Sequence, residues 1–243
     1  MMKKVALITG VSKGLGKSLA EKFRSEGFYI SGVSRSQPDT DIDLFIKADI
    51  TDQTERDKVI RQTAERFGRI DILINNAGIG LYERWEGSDM DDIRKLFDLN
   101  LFSVIDLTKK AVPYLKETKG TVINVSSVAG KLYMPYMGAY CSSKYAINAF
   151  SDSLRAELKP YGIHVLNLIV GRIKTGFSKR AMGSKKPPET PYGGSPERFA
   201  EVTYKAYLKK KREIWYPHWY RYLIILAKIF PDTFDRISLK KWG

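Results

Sequence analysis

Short apolar runs alternate with amphipathic segments along most of the chain. The runs are rich in aliphatic and β-branched residues, as are strands buried on both faces of a parallel sheet. The runs that we predict as strands are Val5–Thr9, Tyr29–Ser34, Phe45–Ala48, Ile70–Asn75, Thr121–Ser126, His164–Val170 and Glu213–Tyr216. Helical periodicity is clearest over Leu15–Glu26, Met90–Tyr114 and Tyr140–Lys159. Because strands and helices alternate, the pattern predicts an α/β fold with a doubly wound parallel sheet of about seven strands and helices on both faces.

Length and composition are those of an ordinary globular protein. The chain has 243 residues, of which 43% are hydrophobic and 28% are charged, so we expect residues 1–243 to form a single domain. The one cysteine, Cys141, excludes an intrachain disulfide and a cysteine-built zinc site, and no metal is expected. The first apolar run, Val5–Thr9, is too short for the apolar region of a signal peptide, so we expect a cytoplasmic protein.

A glycine-rich turn follows the first predicted strand and precedes the first predicted helix. Its glycines are Gly10, Gly14 and Gly16. Strand, glycine turn and helix in this order form a phosphate cradle in dinucleotide-binding proteins, because the amide groups at the helix N-terminus face the anion. A glycine turn without any ligand is the alternative at this stage.

Tyr140 and Lys144 place a phenol and an ammonium group four residues apart at the start of a predicted helix. Residues at i and i+4 share one helical face. This pair alone is weak evidence, since aromatic and lysine residues meet at that spacing by chance on many solvated helices. Its significance depends on the other motifs of the chain.

Taken together, these motifs resemble the classical short-chain dehydrogenase/reductase family, in its NADP-preferring form, from about Lys3 to about Tyr216. The residues that carry the resemblance are Thr9, Gly10, Gly14, Gly16, Asp49, Asn75 to Gly78, Asn100, Asn124 to Ser127, Tyr140, Lys144, Gly171, Ile173 and Thr175. The resemblance implies a Rossmann-like fold and hydride transfer between a nicotinamide dinucleotide and a small-molecule carbonyl or alcohol. It also implies a homodimer or homotetramer packed through the helices around Met90–Tyr114 and Tyr140–Lys159.

The resemblance implies four catalytic residues. Tyr140 would donate the proton, and Lys144 would supply the positive charge that lowers the pKa of the phenol. Ser127, rather than its neighbour Ser126, would hydrogen-bond the substrate oxygen. Asn100 would hold a water that links the lysine to solvent, and the alternative for Asn100 is a satisfied buried amide.

The predicted cofactor is NADP(H). The second predicted strand is followed by Arg35 and not by a carboxylate, and Lys13 adds a second cation in the glycine turn. NAD-selective sites usually carry an acidic residue at the end of this strand. The alternative is that both are solvated surface charges. The residues expected to bind the cofactor are Gly10, Ser12, Lys13, Gly14, Leu15, Gly16, Arg35, Asp49, Ile50, Asn76, Ala77, Gly78, Tyr140, Lys144, Gly171, Ile173 and Thr175.

Positive charge is concentrated near the C-terminus. The net charge is +14, and Lys205–Gly243 contains ten lysine and arginine residues against three acidic ones, a net +7. A basic, aromatic and aliphatic extension covers residues 217–243. It could cover the sheet or form a dimer contact, or it could lie as a helix on a membrane surface, with basic residues facing anionic lipid. No nucleic-acid motif accompanies the charge, so we expect no nucleic-acid partner.

A loop at about residues 176–197 occupies the place of the family's substrate-binding loop. It is rich in proline, glycine and lysine, and includes Pro188 and Pro191, so we expect irregular backbone that could close over a substrate. The apolar residues expected to line the pocket are Leu132, Tyr133, Met134, Tyr136 and Met137. These features predict a bulky hydrophobic ketone or aldehyde as substrate. The alternative function is a dinucleotide-sensing interaction protein without turnover.

Overall fold

The computed structural model of the protein describes residues 3–187 and 193–242, and its central element is a seven-stranded sheet. The strands are β1 (Val5–Thr9), β2 (Tyr29–Ser34), β3 (Leu44–Lys47), β4 (Ile72–Asn75), β5 (Thr121–Val125), β6 (His164–Val170) and β7 (Glu213–Tyr216). All seven predicted strands are confirmed. β3 lies one residue earlier than predicted, β4 begins two residues later, and β5 ends one residue earlier.

Every strand of the sheet is parallel to its neighbours, and the order is β3-β2-β1-β4-β5-β6-β7. The chain builds outward from β1 to β3 and then returns to the other side of β1 at β4. This reversal of direction opens a crevice at the carboxyl ends of β1 and β4, which is where doubly wound sheets bind their ligands.

Helices cover both faces of the sheet, which confirms the predicted Rossmann-like, doubly wound class. They are α1 (Gly14–Ser25), α2 (Gln53–Phe67), α3 (Met90–Phe97), α4 (Ser103–Thr118), α5 (Gly138–Leu158), α6 (Pro196–Leu208), α7 (Tyr220–Ile229) and α8 (Pro231–Trp242). A π-helical segment, Asp98–Phe102, joins α3 to α4. Together these three elements form the long helical stretch that the sequence predicts.

Two hydrophobic cores result from the alternation of side chains along the strands. On one face, Ile8 and Leu166 pack with Phe23 of α1 and Phe199 of α6. The opposite core contains β-strand residues from the alternate positions, together with residues of α2, α4 and α5. The long helix α5, which begins at Gly138, is therefore held against the same sheet whose carboxyl edge forms the crevice.

A buried row of asparagines also fixes α5 to the sheet. Asn75 donates to the Asn124 side-chain oxygen at 2.8 Å, and Asn124 donates to Ser151 of α5 at 2.9 Å. Asn167 of β6 donates to Asn148 of α5 at 2.8 Å. Buried amides that pair in this way allow fewer alternative arrangements than apolar contacts do. The position of α5 along the sheet is thus set by directional hydrogen bonds.

The C-terminal extension forms two helices, α7 and α8, where the sequence suggested a single one. They are separated by Phe230, and α8 begins at Pro231, a residue that favours the first turn of a helix. Ile224 and Ala227 of α7 are buried against Leu132 and β6. Within the described ranges, no helix is both long and apolar enough to span a bilayer.

Candidate active site

The turn after β1 requires glycine at two positions for different reasons. Gly10 has a φ of 77°, in the left-handed region that side chains disfavour. A Cβ at Gly16 would lie 2.1 Å from the Gly10 carbonyl oxygen, so the first turn of α1 packs directly on the loop. These constraints leave a shallow backbone cradle at the crevice.

The N-terminus of α1 opens into this cradle. Within the described chain, the Lys13 side chain makes no capping hydrogen bond, and the first helical turn contains no acidic residue. Its amide groups and the positive end of the helix dipole are therefore available to an anion. Ser12 and Leu15 are half-buried beside the cradle, and Lys13 is exposed. The site fits the pyrophosphate of a dinucleotide.

The loop after β4 is joined to the glycine turn by hydrogen bonds. The Thr9 hydroxyl accepts the backbone N–H groups of Asn76 and Ala77, both at 3.0 Å, and the Asn76 amide donates to the Thr9 carbonyl at 2.8 Å. A Cβ at Gly78 would lie 3.1 Å from the side-chain oxygen of Asn100. The segment Asn76–Gly78 thus runs from the cradle to the residues predicted as catalytic.

Two more groups of predicted cofactor residues lie around the crevice. Thr175 contacts the glycine turn, because a Cβ at Gly14 would lie 3.1 Å from the Cβ of Thr175. Gly171 and Ile173, on the same segment after β6, are half-buried. At the other end of the crevice, Arg35 and Asp49 lie 3.7 Å apart as an ion pair.

The residues at the Arg35 end of the crevice differ in their exposure to solvent. The Arg35 side chain is 75% exposed, and Ile50 is buried beneath the loop. Asp49 accepts hydrogen bonds from the backbone N–H and the hydroxyl of Thr51. The carboxylate is therefore held in place, while the guanidinium of Arg35 is free to move toward a ligand in solvent.

Asn100 lies at the centre of the π-helical segment, in a setting that differs from an ordinary helical asparagine. Its amide nitrogen donates to the Ile79 carbonyl and its oxygen accepts the Ile79 N–H, each at 2.9 Å. The nitrogen also lies 3.2 Å from the Ser143 hydroxyl of α5. The side chain is therefore satisfied by the protein and connects the loop after β4 with α5. π-Helical insertions of this kind occur often at functional sites.

Ser127, Tyr140 and Lys144 meet at the carboxyl edge of β5. The Ser127 hydroxyl caps a short helical turn by accepting the Ala129 N–H at 3.1 Å, and it lies close enough to the phenol of Tyr140 to lower the pKa of that group. The ammonium nitrogen of Lys144 lies 5.9 Å from the Tyr140 ring centroid. The neighbouring Ser126 hydroxyl donates to the Lys144 carbonyl instead. The structure thus places Ser127, and not Ser126, against the phenol.

Burial shifts the pKa values of both titratable groups. It raises the pKa of Tyr140 above its ordinary value, the nearby Tyr82 adds to the rise, and the hydrogen bond from Ser127 only partly offsets it. Burial also lowers the pKa of Lys144 to about 8, and its ammonium donates to the Val125 carbonyl at 3.1 Å. The sequence predicts that Lys144 lowers the pKa of the phenol, but the pKa of Tyr140 is raised. Desolvation is the largest cause of the pKa shift of each group.

This electrostatic state suits a proton donor. A phenol whose pKa is raised stays protonated at neutral pH, so Tyr140 can donate to an oxygen placed beside Ser127. The pKa of Lys144, about 8, is still above 7, so the side chain is mostly protonated at neutral pH. Its positive charge would stabilise the phenolate that remains after Tyr140 has donated its proton.

An aromatic wall that the sequence did not reveal encloses Tyr140. Tyr82 lies edge-on to Tyr140 at 6.3 Å, and Phe177 lies 6.1 Å from it, both measured between ring centroids. Trp242, the last residue of α8, packs on Tyr82 at 6.0 Å and on Tyr136 at 5.6 Å. These residues come from distant parts of the chain, so no local motif could have identified them.

A cleft of about 250 Å³ opens next to this wall. Met134 and Tyr136, two of the predicted pocket residues, line it together with Leu81 and Trp85. Met137 is buried in the cluster around Tyr140. The prediction was wrong for the other two residues. Leu132 packs under α7 and Tyr133 packs on Phe234 of α8, because the C-terminal helices cover this side of the loop.

The loop at residues 176–197 begins beside the aromatic wall and returns to the sheet at Gly194. A backbone bridge joins Ile173 to Gly194, and Lys174 N–H donates to the Gly194 carbonyl at 3.1 Å. Pro188 and Pro191 lie outside the described residues. The described parts of the loop place Phe177 against Tyr140, so this segment contributes to the site.

Comparisons with known proteins agree with this geometry. A family model described as short chain dehydrogenase matches residues 4–185. The chain is 33% identical over 181 residues to a 3-ketodihydrosphingosine reductase of Bacteroides thetaiotaomicron, covering 73% of this chain and 67% of that protein. It is 35% identical over 213 residues to an NADPH-dependent 3-dehydrocapnine reductase of Ornithobacterium rhinotracheale, covering 81% and 74%.

The fold agrees as well. A crystal structure of a short-chain dehydrogenase from Streptomyces avermitilis superimposes with a TM-score of 0.81 at 25% identity, covering 99% of this chain and 98% of that one. The family match extends over the glycine turn, the π-helical segment and the first half of the loop at residues 176–197. The chain therefore belongs to the short-chain dehydrogenase family, whose members are oxidoreductases that bind a nicotinamide dinucleotide.

Proposed function

We propose that the protein is an NADP(H)-dependent oxidoreductase that interconverts a carbonyl group and an alcohol. The observation that supports this most directly is the cluster of Ser127, Tyr140 and Lys144 beside the glycine turn, with a protonated phenol at its centre. A dinucleotide-sensing protein without turnover would not need a buried phenol and a buried ammonium on the same helical face, since burial of each costs desolvation energy.

The proposed mechanism assigns one task to each residue. The bound dinucleotide supplies the hydride. Ser127 and Tyr140 hydrogen-bond the substrate oxygen, and Tyr140 donates its proton to that oxygen as the alcohol forms. Lys144 stabilises the resulting phenolate by its positive charge. Asn100 holds the loop at Ile79 against α5, which fixes the distance between the crevice and the phenol.

NADP(H) is the cofactor that we propose. The 2′-phosphate of NADP needs cations beside the adenosine ribose, where an NAD-selective site has a carboxylate. Lys13 in the glycine turn and Arg35 after β2 are both exposed, and the contact recorded for the Arg35 side chain among the described residues is the 3.7 Å ion pair with Asp49. One relative is named as NADPH-dependent, which is consistent with this choice.

Replacing both Lys13 and Arg35 with Ala should reduce the preference for NADPH over NADH by at least about a hundredfold, since each charge-assisted contact contributes roughly 1.5–3 kcal/mol. The ratio of kcat/KM for the two cofactors is the measurement. Arg61→Ala is the control, because Arg61 is an arginine of α2 whose side chain is 68% exposed. An unchanged preference would mean that Lys13 and Arg35 are solvated surface charges.

The proposed substrates are ketones that carry a long apolar chain. The cleft next to the aromatic wall is lined mainly by Leu81, Trp85, Met134 and Tyr136, with Glu83 and Ser88 as its polar side chains. Two relatives are named for the reduction of 3-ketodihydrosphingosine and 3-dehydrocapnine. An apolar lining of this size stabilises a hydrocarbon chain more than a small polar ketone.

Oxidation of NADPH in the presence of 3-ketodihydrosphingosine, short 3-oxo esters, fatty aldehydes and oxo-steroids tests the proposal. We expect the long-chain ketone to give the highest kcat/KM. The kcat/KM of the short esters should be lower by at least about tenfold, because a short substrate buries fewer CH2 groups in the cleft. NADPH binding without turnover on any of these substrates would favour the sensor alternative.

We further infer a homo-oligomer packed through α4 and α5, as the family resemblance implies.

A further inference from the structure

The outer surface of the C-terminal helices exposes more large apolar side chains than a solvated surface usually does. Along α7, the side chain of Tyr222 is 66% exposed, Ile225 47%, Leu226 55% and Ile229 61%. Contiguous apolar patches of this kind mark contact sites rather than ordinary protein surface. We call the exposed faces of α7 and α8 together the C-terminal surface.

Apolar side chains occupy two opposite faces of α7, one buried and one exposed. Ile224 and Ala227 are buried against the body of the protein. Tyr222, Ile225 and Ile229 are spaced at i, i+3 and i+7, which places them on the opposite face. This face therefore points away from the domain, and no described residue covers it.

The second helix adds positive charge to this surface. Phe234, Ser238 and Trp242 repeat every four residues and form the inward face of α8. Arg236 and Lys240 are exposed on the opposite side. The segment between Trp219 and Trp242 contains five lysine and arginine residues and two acidic residues, which gives it a net charge of +3. The surface thus combines an apolar ridge with cationic neighbours.

A second copy of this chain or a lipid surface could cover the C-terminal surface, and the charge of the surface favours one of them. In a symmetric dimer built on this patch, each copy would bring its own net positive charge against the other, because the same residues meet across a two-fold axis. Like charges in contact oppose association. An anionic lipid surface provides both an apolar layer for the side chains of α7 and negative headgroups for Arg236 and Lys240.

We propose that the C-terminal surface docks the protein on an anionic membrane surface, with the apolar face of α7 inserted at the level of the headgroups. The same helices form part of the wall of the candidate active site, since Trp242 of α8 packs on Tyr82, and Tyr82 packs on Tyr140. A docked protein would therefore hold its substrate cleft close to the lipid. The docking itself does not depend on the proposed catalytic function.

Flotation of the full chain with vesicles tests the apolar part of the proposal. We expect binding to phosphatidylcholine vesicles that contain about 30% phosphatidylserine, and weak binding to phosphatidylcholine alone. The variant Ile225→Ser/Ile229→Ser should lower the partition coefficient by at least about tenfold, because two apolar side chains are lost from the lipid layer. Leu208→Ser is the matched control, since Leu208 on α6 is 60% exposed and Ile229 is 61% exposed.

A charge-reversal variant tests the electrostatic part. Arg236→Glu/Lys240→Glu should lower binding to the anionic vesicles by at least about tenfold, and added salt should weaken wild-type binding, as each basic residue near the surface contributes roughly 1 kcal/mol. Lys209→Glu, an exposed lysine outside the two helices, should have a smaller effect. Equal binding of all variants, or no binding by the wild type, would overturn the proposal. So would sedimentation velocity showing that Ile225→Ser/Ile229→Ser dissociates a dimer, because a second copy would then occupy the surface.

Discussion

Tyr140→Phe should lower kcat for carbonyl reduction by about a thousandfold and weaken NADPH binding by no more than about tenfold, since one hydroxyl contact contributes roughly 0.5–1.5 kcal/mol. The substitution removes only the hydroxyl that donates the proton, and general acids of this kind contribute roughly 10²–10⁴ in rate. The phenylalanine ring keeps the edge-on contact with Tyr82 and the contact with Phe177. Single-turnover oxidation of NADPH, compared with a fluorescence titration of NADPH binding, separates loss of chemistry from loss of the site.

Tyr82→Phe is the control for this experiment. Tyr82 is also buried, its pKa is also raised by burial, and the hydroxyl that partly offsets this rise is that of Ser178 rather than Ser127. We expect its kcat to stay within a few-fold of the wild type, because its hydroxyl is not the donor. If Tyr82→Phe abolished reduction and Tyr140→Phe did not, the proton donor would have been assigned to the wrong one of two adjacent phenols.

Local pattern was sufficient to predict the sheet. The strands are short, apolar and bounded by polar or glycine residues, and their periodicity does not depend on distant contacts. The shifted start of β4 has a tertiary cause. The carboxylate of Asp71 accepts the Val5 N–H at 2.8 Å and binds the Arg69 guanidinium, so this residue anchors the amino end of the sheet. Hydrophobic pattern alone contains no such information.

The π-helical segment shows a second limit of sequence interpretation. Met90–Tyr114 was predicted as one helical stretch, and the residues of Asp98–Phe102 fit ordinary helical periodicity. The wider turn is stabilised by Asn100, whose amide pairs with both backbone groups of Ile79. That partner lies on a loop after β4, so the distortion depends on a contact between separate segments.

The electrostatic state of the site also required the fold. The spacing of Tyr140 and Lys144 predicted their common helical face, and the structure places them together. Spacing does not report burial, and burial is the largest cause of both pKa shifts. The aromatic wall formed by Tyr82, Phe177 and Trp242 contributes to that burial. The direction of the Tyr140 shift therefore could not be obtained from the motif.

Lys144→Met should change how stability depends on pH. In the folded chain, burial lowers the pKa of Lys144 to about 8 from 10.5. At this group the unfolded chain therefore binds more protons between these two pH values, so the contribution of Lys144 to stability should rise with pH across this window. Methionine does not titrate, so the free energy of unfolding of the variant, relative to the wild type, should fall by about 2 kcal/mol between pH 7 and pH 10.

The comparison across pH separates charge from hydrogen bonding. Loss of the lysine also leaves the Val125 carbonyl without the donor at 3.1 Å, and an unpaired buried carbonyl costs about 1–3 kcal/mol. That cost is the same at every pH, so it cannot change the slope. Urea unfolding at several pH values measures the slope, and Lys109→Met, an exposed lysine of α4, should follow the wild type. A Lys144→Met slope equal to that of the wild type would mean that Lys144 keeps its proton in the folded chain.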